Sequence, residues 1–238
     1  MDLTKIITKG INTSVLAGVF VIANFTALTL IPVIQGAYIP IFIVLFFLAS
    51  AGYVLALCRL KPDNLSLALI WGFAISFRIV ILFTQLSLSD DVFRYMWDGH
   101  LLNSGINPYA LPADSSLLDA FEIPVRTLIN HNWMASPYLP DSHLIYAIVD
   151  FIFPQSVLAF RLTAVAFDLL TGVIVLKILE LVGLPLRNIL IYLWNPLIII
   201  EFSHGAHMDS ILICFMMLAF WFLIKDPGLS NLQSIGSP

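Results

Sequence analysis

Along the chain, long runs that are apolar on every helical face alternate with short polar breaks and one long mixed segment. A helix crossing the hydrocarbon core of a bilayer needs roughly 20 mostly apolar residues. Six runs are candidates, near 12–34, 38–59, 65–86, 157–182, 188–203 and 209–225. The first two are joined by Gln35-Gly36-Ala37, which predicts a tight helical hairpin. The fifth and sixth are short, which predicts tilted spans or a partly buried corner between them. The first run is too long, and too closely followed by the second, to be a cleaved signal peptide.

Residues 87–156 break the apolar pattern. Here Ser89 predicts an N-cap for a helix over about 90–102, ended by Gly105 and Pro108. Phe93, Met96, Trp97 and Leu101 fall on one face of that helix, and Asp91, Arg94 and Asp98 on another. The apolar face is expected to lie on the membrane surface. The run His143–Phe153 is apolar but too short to span, and predicts a second interfacial helix. Pro227, Gly228, Ser230, Gly236 and Pro238 predict a disordered tail over 226–238.

Composition sharpens this picture. Of 238 residues, 60% are hydrophobic and only 11% charged, where soluble domains carry about a quarter charged residues. Mean hydropathy is +0.96. The fold class is therefore an all-α polytopic membrane protein, with a transmembrane domain over 1–225 and one long loop over 87–156. Lys5, Lys9, Arg59, Lys61, Lys177, Arg187 and Lys225 all fall on one side of the six-span map. The positive-inside rule makes that side cytoplasmic. The N-terminus is then cytoplasmic and the long loop lies outside. A net charge of -4 gives no hint of a nucleic-acid partner. Cys58 and Cys214 sit in apolar runs, so neither a disulfide framework nor a thiolate metal site is suggested.

The chemistry concentrates where the loop leaves the membrane. Asp90 and Asp91 are adjacent carboxylates, able to supply a general base or to bind a divalent metal ion. The competing reading is that acids in a first turn favour the helix dipole, worth roughly 0.3–1 kcal/mol each. Arg94 and Arg161 lie near the outer surface and suit a phosphate clamp, because a guanidinium matches phosphate oxygens. For Arg94 the rival is an i,i+4 pair with Asp90 or Asp98. Arg78 lies roughly 12 Å inside the third span. An Arg78–Asp168 pair accounts for both buried charges, against a donor-phosphate role for Arg78. Glu201, His204, His207 and Asp209 crowd the corner between the fifth and sixth spans. That mixture permits a metal, although a hydrogen-bonded corner touching acceptor or phosphate is favoured. Asn195-Pro196 predicts a kink, whose freed carbonyl must be satisfied by neighbours.

These residues carry a resemblance. Ser89-Asp90-Asp91-Val92-Phe93-Arg94-Tyr95-Met96-Trp97-Asp98-Gly99, followed by Gly105-Ile106-Asn107-Pro108-Tyr109, resembles the first outer loop of bacterial GT-C glycosyltransferases. Within them it is most similar to the polyprenyl-phosphate-mannose-dependent mannosyltransferases. Ala159-Phe160-Arg161-Leu162 with Phe167-Asp168-Leu169-Leu170 resembles the helix that follows. Trp194-Asn195-Pro196-Leu197, Glu201 and His204-Gly205-Ala206-His207-Met208-Asp209 resemble a later signature. Tyr138-Leu139-Pro140 and His207-Met208-Asp209 depart from the family's usual spelling.

The resemblance implies a multi-pass enzyme of the bacterial plasma membrane. It would transfer a sugar, mannose above all, from a polyprenyl-phosphate donor to a hydroxyl of a glycan or glycolipid acceptor, with inversion. The base would be Asp90 or Asp91, and the donor phosphate or substrate would meet Arg94, Arg161, Glu201, His204, His207 and Asp209. Family members continue through several more helices, so the resemblance covers an N-terminal half and implies a truncated chain. The alternatives are a transporter or lipid flippase, or a non-catalytic partner of a complete transferase. Transporters place polar groups near the bilayer midplane, where this chain has little beyond Arg78 and Asp168.

Overall fold

The computed structural model describes residues 13–31, 38–58 and 66–226. The expected hairpin at Gln35-Gly36-Ala37, the basic residues Lys5, Lys9, Arg59 and Lys61, and the tail from Pro227 lie outside the described residues. Among the described residues every regular element is a helix. They are α1 Thr13–Leu30, α2 Tyr38–Cys58, α3 Leu67–Leu82, α4 Asp91–Asn103, α5 Pro140–Ile152, α6 Val157–Leu181, α7 Leu190–Leu193, α8 Pro196–Ile199 and α9 Asp209–Lys225, with short 3-10 and π turns between them.

Among the described residues three helices, α1, α2 and α6, are long and apolar enough to cross a membrane. The third predicted run forms a helix of 16 residues and the sixth one of 17. The fifth, 188–203, is no continuous helix but a chain of short turns, Leu186–Ile189, α7, α8 and the π-helical turn Ile200–His204. Pro196 is the cause, since it has no N–H to continue the ladder. The Leu197 N–H turns instead to the Asn195 side chain, at 3.0 Å. The Leu193 carbonyl, which that N–H would have served, is taken by the Arg78 guanidinium at 3.0 Å. Arg78 also donates to the Ala74 carbonyl at 2.9 Å. The predicted kink and its compensation are both present.

The described residues fall into two compact units. The first draws on Met1–Gln85, Leu169–Ile200 and Ile213–Pro238. In it α1 packs on α2 and on α3, around a core that includes Val21, Phe25, Ile70, Ala74, Phe77, Leu193 and Trp194. Trp194 is fully buried, and its indole N–H reaches the Ile70 carbonyl at 2.9 Å. Phe73 and Phe77 meet it edge-on at 5.2 and 5.3 Å, a favourable aromatic geometry.

The second unit draws on Leu86–Asp168 and Glu201–Leu212. Its frame is the pair α4 and α5. α4 ends as predicted: Gly105 takes φ 77°, and the Ile106 N–H reaches back to the Leu101 carbonyl at 2.9 Å, a glycine-terminated stop. α5 starts at Pro140, where the missing N–H costs nothing. Contrary to expectation, α4 does not lie with an apolar face on a surface. Val92, Met96, Trp97 and Leu101 are buried, and so are Arg94 and Asp98. Gly99 allows this. A Cβ there would stand 2.6 Å from the Tyr146 carbonyl oxygen, so only a glycine lets α4 meet the α5 backbone so closely.

Candidate active site

The site lies within the second unit, at the start of α4. Asp90 is the N-cap residue, but its carboxylate makes no capping hydrogen bond. Ser89, the expected cap, accepts the Asp91 N–H at 3.3 Å instead. Asp91 opens the helix and gains from its dipole. Asp90 is exposed and Asp91 half-buried.

Both carboxylates converge on one side chain that the sequence did not single out. The Asn130 amide nitrogen donates to Oδ1 of Asp90 and, at 3.1 Å, to Oδ1 of Asp91. Asn130 opens the turn after the 3-10 helix Pro124–Leu128. That segment is fastened by Arg126, which donates to the carbonyls of Ala113 and Ser115, each at 2.8 Å, and pairs with Asp119 at 2.9 Å. Its guanidinium also lies over the Trp97 ring of α4, 5.4 Å from the centroid.

The second oxygen of Asp91 faces the corner that follows the π turn. His207 Nε2 stands 3.9 Å from Asp91 Oδ2, while its Nδ1 is hydrogen-bonded to Glu201. The structure thus joins Asp91, His207 and Glu201 in one line of carboxylate, imidazole and carboxylate. The turn between Glu201 and His207 is sharply constrained. A Cβ on Gly205 would come within 2.8 Å of the Glu201 carbonyl oxygen, and Ala206 adopts φ 59°, the left-handed region that only glycine enters freely.

His204 points elsewhere. It is fully buried, with Nε2 at 3.2 Å from the Ser87 hydroxyl. Burial first, then the charges of Arg161 and His207, push its proton affinity down to about 4. Arg161, also buried, donates to the His204 carbonyl at 2.9 Å. Asp209 is exposed in the first turn of α9. Among the described residues no three His, Cys, Asp or Glu side chains are grouped to hold a metal ion.

Arg94 forms the i,i+4 pair with Asp98, at 3.2 Å, and donates to the Met134 carbonyl at 2.7 Å. Ser136 donates to Asp98 and meets His143 Nε2 at 2.7 Å. This buried set ties the segment 134–136 to α4 and α5. Above it, Tyr95 stacks on Tyr146 with centroids 4.8 Å apart and meets Tyr138 edge-on at 5.1 Å. Burial, and next the Asp91 charge, push the Tyr138 hydroxyl up to about 12. The Tyr95 hydroxyl is raised too, by burial first. These hydroxyls remain protonated and offer donors, not charge, beside Asp91. Along α5 and the first turns of α6 runs an apolar groove, lined by residues including Ile145, Val149, Phe153, Ala159, Leu162 and Phe167.

The family model described as "Alpha-(1->6)-mannopyranosyltransferase, N-terminal domain", of the MptA_B family, matches residues 8–236. No curated protein and no solved structure matches the chain.

Proposed function

That the chain belongs to the MptA_B family of alpha-(1->6)-mannopyranosyltransferases is the premise from which we propose its chemistry: transfer of mannose from a polyprenyl-phosphate donor to a hydroxyl of a glycan or glycolipid acceptor, at the outer face of the membrane and with inversion. The acceptor O–H gives its proton to a carboxylate of the Asp90–Asp91 pair. The oxygen attacks the anomeric carbon on the face opposite the phosphate, the carbon–phosphate oxygen bond breaks, and the polyprenyl phosphate leaves with the electron pair.

One observation carries the reading: two adjacent carboxylates at the head of α4 are held by a neutral donor, and one of them faces an imidazole. A base needs a free oxygen and access to the hydroxyl it deprotonates. Asp90 is exposed, and its Oδ2 takes no hydrogen bond among the described residues. Asp91 is half-buried, with Oδ1 taken by Asn130 and Oδ2 facing His207 Nε2 at 3.9 Å. We therefore assign the base to Asp90 and a supporting role to Asp91. Arg161 and His207, the latter oriented through its Nδ1 by Glu201, are the groups proposed to face the departing phosphate, where positive charge and donors stabilise the developing anion. Arg94, held between Asp98 and the Met134 carbonyl, serves as an anchor of the loop. The apolar groove along α5 and α6 supports a substrate that carries hydrocarbon.

The test is transfer of mannose from a polyprenyl-phosphate donor in membranes. Asp90→Asn keeps size and removes proton affinity, and turnover is expected to fall roughly 10²–10⁴-fold. Asp91→Asn should lose less. Near-full activity in both variants would remove the acid pair from the chemistry.

A further inference from the structure

We propose that Asn130 is a positioning residue of the transfer reaction: its side-chain amide nitrogen, within hydrogen-bond reach of both carboxylates, holds Asp90 and Asp91 side by side. The inference rests on the reading of the acid pair as the site of the base.

Two neighbouring carboxylates repel one another, and each ionised form gains from donated hydrogen bonds. A lysine or arginine would supply donors as well, but its full positive charge would pair with the carboxylates and lower their affinity for a proton. An amide also favours the ionised form, but it carries no full charge, so its cost to basicity is smaller. Its nitrogen carries two hydrogens, enough for the two acceptors within its reach, Oδ1 of Asp90 and Oδ1 of Asp91. The opposite amide orientation would set a carbonyl oxygen against two carboxylates, so the chemistry fixes which end faces them.

The side chain is also supplied from a braced support. Asn130 follows the 3-10 helix Pro124–Leu128, which packs on α4. Arg126 locks that segment to the carbonyls of Ala113 and Ser115 and to the Trp97 ring. Because α4 also carries Asp90 at its N-cap and Asp91 in its first turn, the donor and both acceptors are held by one set of contacts. Oδ1 of Asp90 is thereby turned to Asn130, leaving Oδ2 for the acceptor hydroxyl.

The experiment compares Asn130→Ala, Asn130→Gln and Asn130→Asp in the full chain, with donor and acceptor varied and unfolding followed by thermal melts in detergent. For Asn130→Ala, kcat should fall roughly tenfold to a hundredfold, by analogy with groups that orient metal ligands, while KM changes little. Asn130→Gln, which keeps both N–H groups, should retain more activity than Asn130→Ala. Asn130→Asp has the same size and shape but adds a third carboxylate, so its activity should fall below that of Asn130→Ala. If the residue merely fills space, the order reverses and Asp outperforms Ala; that order overturns the proposal. A raised KM with unchanged kcat also overturns it, because the lost interaction would then be uniform substrate binding. Asp90→Asn and Asp91→Asn are measured alongside. Loss in an aspartate variant with none in the Asn130 series refutes the positioning role alone. No loss in either aspartate variant refutes the underlying reading as well.

Discussion

His204 and His207 sit in the same turn, yet their surroundings differ. His207 is half-exposed between Glu201 and Asp91, whereas His204 is fully buried against Ser87. Burial and the nearby Arg161 charge lower the His204 proton affinity to about 4, against about 6.5 in an unfolded chain. Above about pH 6.5 the ring is neutral in both states and its contribution to stability is complete. Below that, the unfolded chain binds a proton that the folded chain refuses, so stability declines progressively until about pH 4. In detergent, the melting temperature of the native chain should therefore drop more between pH 7 and pH 4.5 than that of His204→Gln. Equal drops would show that His204 is not the group responsible. At this scale the sequence singled out the charged members of the candidate site but not the amide between two of them. Asp90, Asp91, Glu201 and His207 stand out because acids and imidazoles are rare in an apolar chain. Asn130 is an uncharged loop residue about 40 positions from the acids it holds, and no local pattern marks it. The pairing of Arg94 with Asp98 was legible from helical spacing alone, since i and i+4 are neighbours on a helix.

Between elements, the contact between α4 and α5 at Gly99 is the most demanding. An added methyl would meet the Tyr146 carbonyl oxygen at 2.6 Å and its carbon at 2.7 Å, both backbone atoms that no rotamer change can move. Gly99→Ala should therefore destabilise the second unit, by about 1–3 kcal/mol if overpacked cores are a guide, and should reduce transfer by displacing the head of α4. Gly72→Ala is the matched control. Its Cβ meets nothing within 4 Å, and removing a helical glycine should leave stability unchanged or raise it by up to about 1 kcal/mol. Equal melting temperatures for the two variants would contradict the close packing. Helix ends at Gly105, and the existence of α4, α5 and α6, followed from capping residues and run length. The burial of α4 did not. Its amphipathic pattern suits a membrane surface as well as a protein core, and the segments that cover it, the 3-10 helix Pro124–Leu128 and α5, come later in the chain. The fifth apolar run misled for a related reason: composition registers hydrophobicity, while Pro196 decides whether the backbone can continue.

For the whole chain, the expected sidedness rests on basic residues flanking the apolar runs, several of them outside the described residues. It gives a direct test. Ser116 is exposed in the long loop, and Ser116→Cys, in a chain whose Cys58 and Cys214 are changed to serine, should react with a membrane-impermeant thiol reagent in intact cells. Labelling only after lysis would place the loop in the cytoplasm and reverse the map. The second unit also has a history imposed by its chain order. Ser87 and His204, hydrogen-bonded in the folded protein, are 117 residues apart. At roughly 5–20 residues per second, a ribosome presents the acidic pair about 6 to 23 s before it presents the turn that carries His204 and His207. During that interval α4 and α5 can already dock, since both have emerged, but Asp91 has no imidazole beside it. The nascent second unit is thus framed by α4 and α5 before the turn that carries His207 comes to lie beside Asp91.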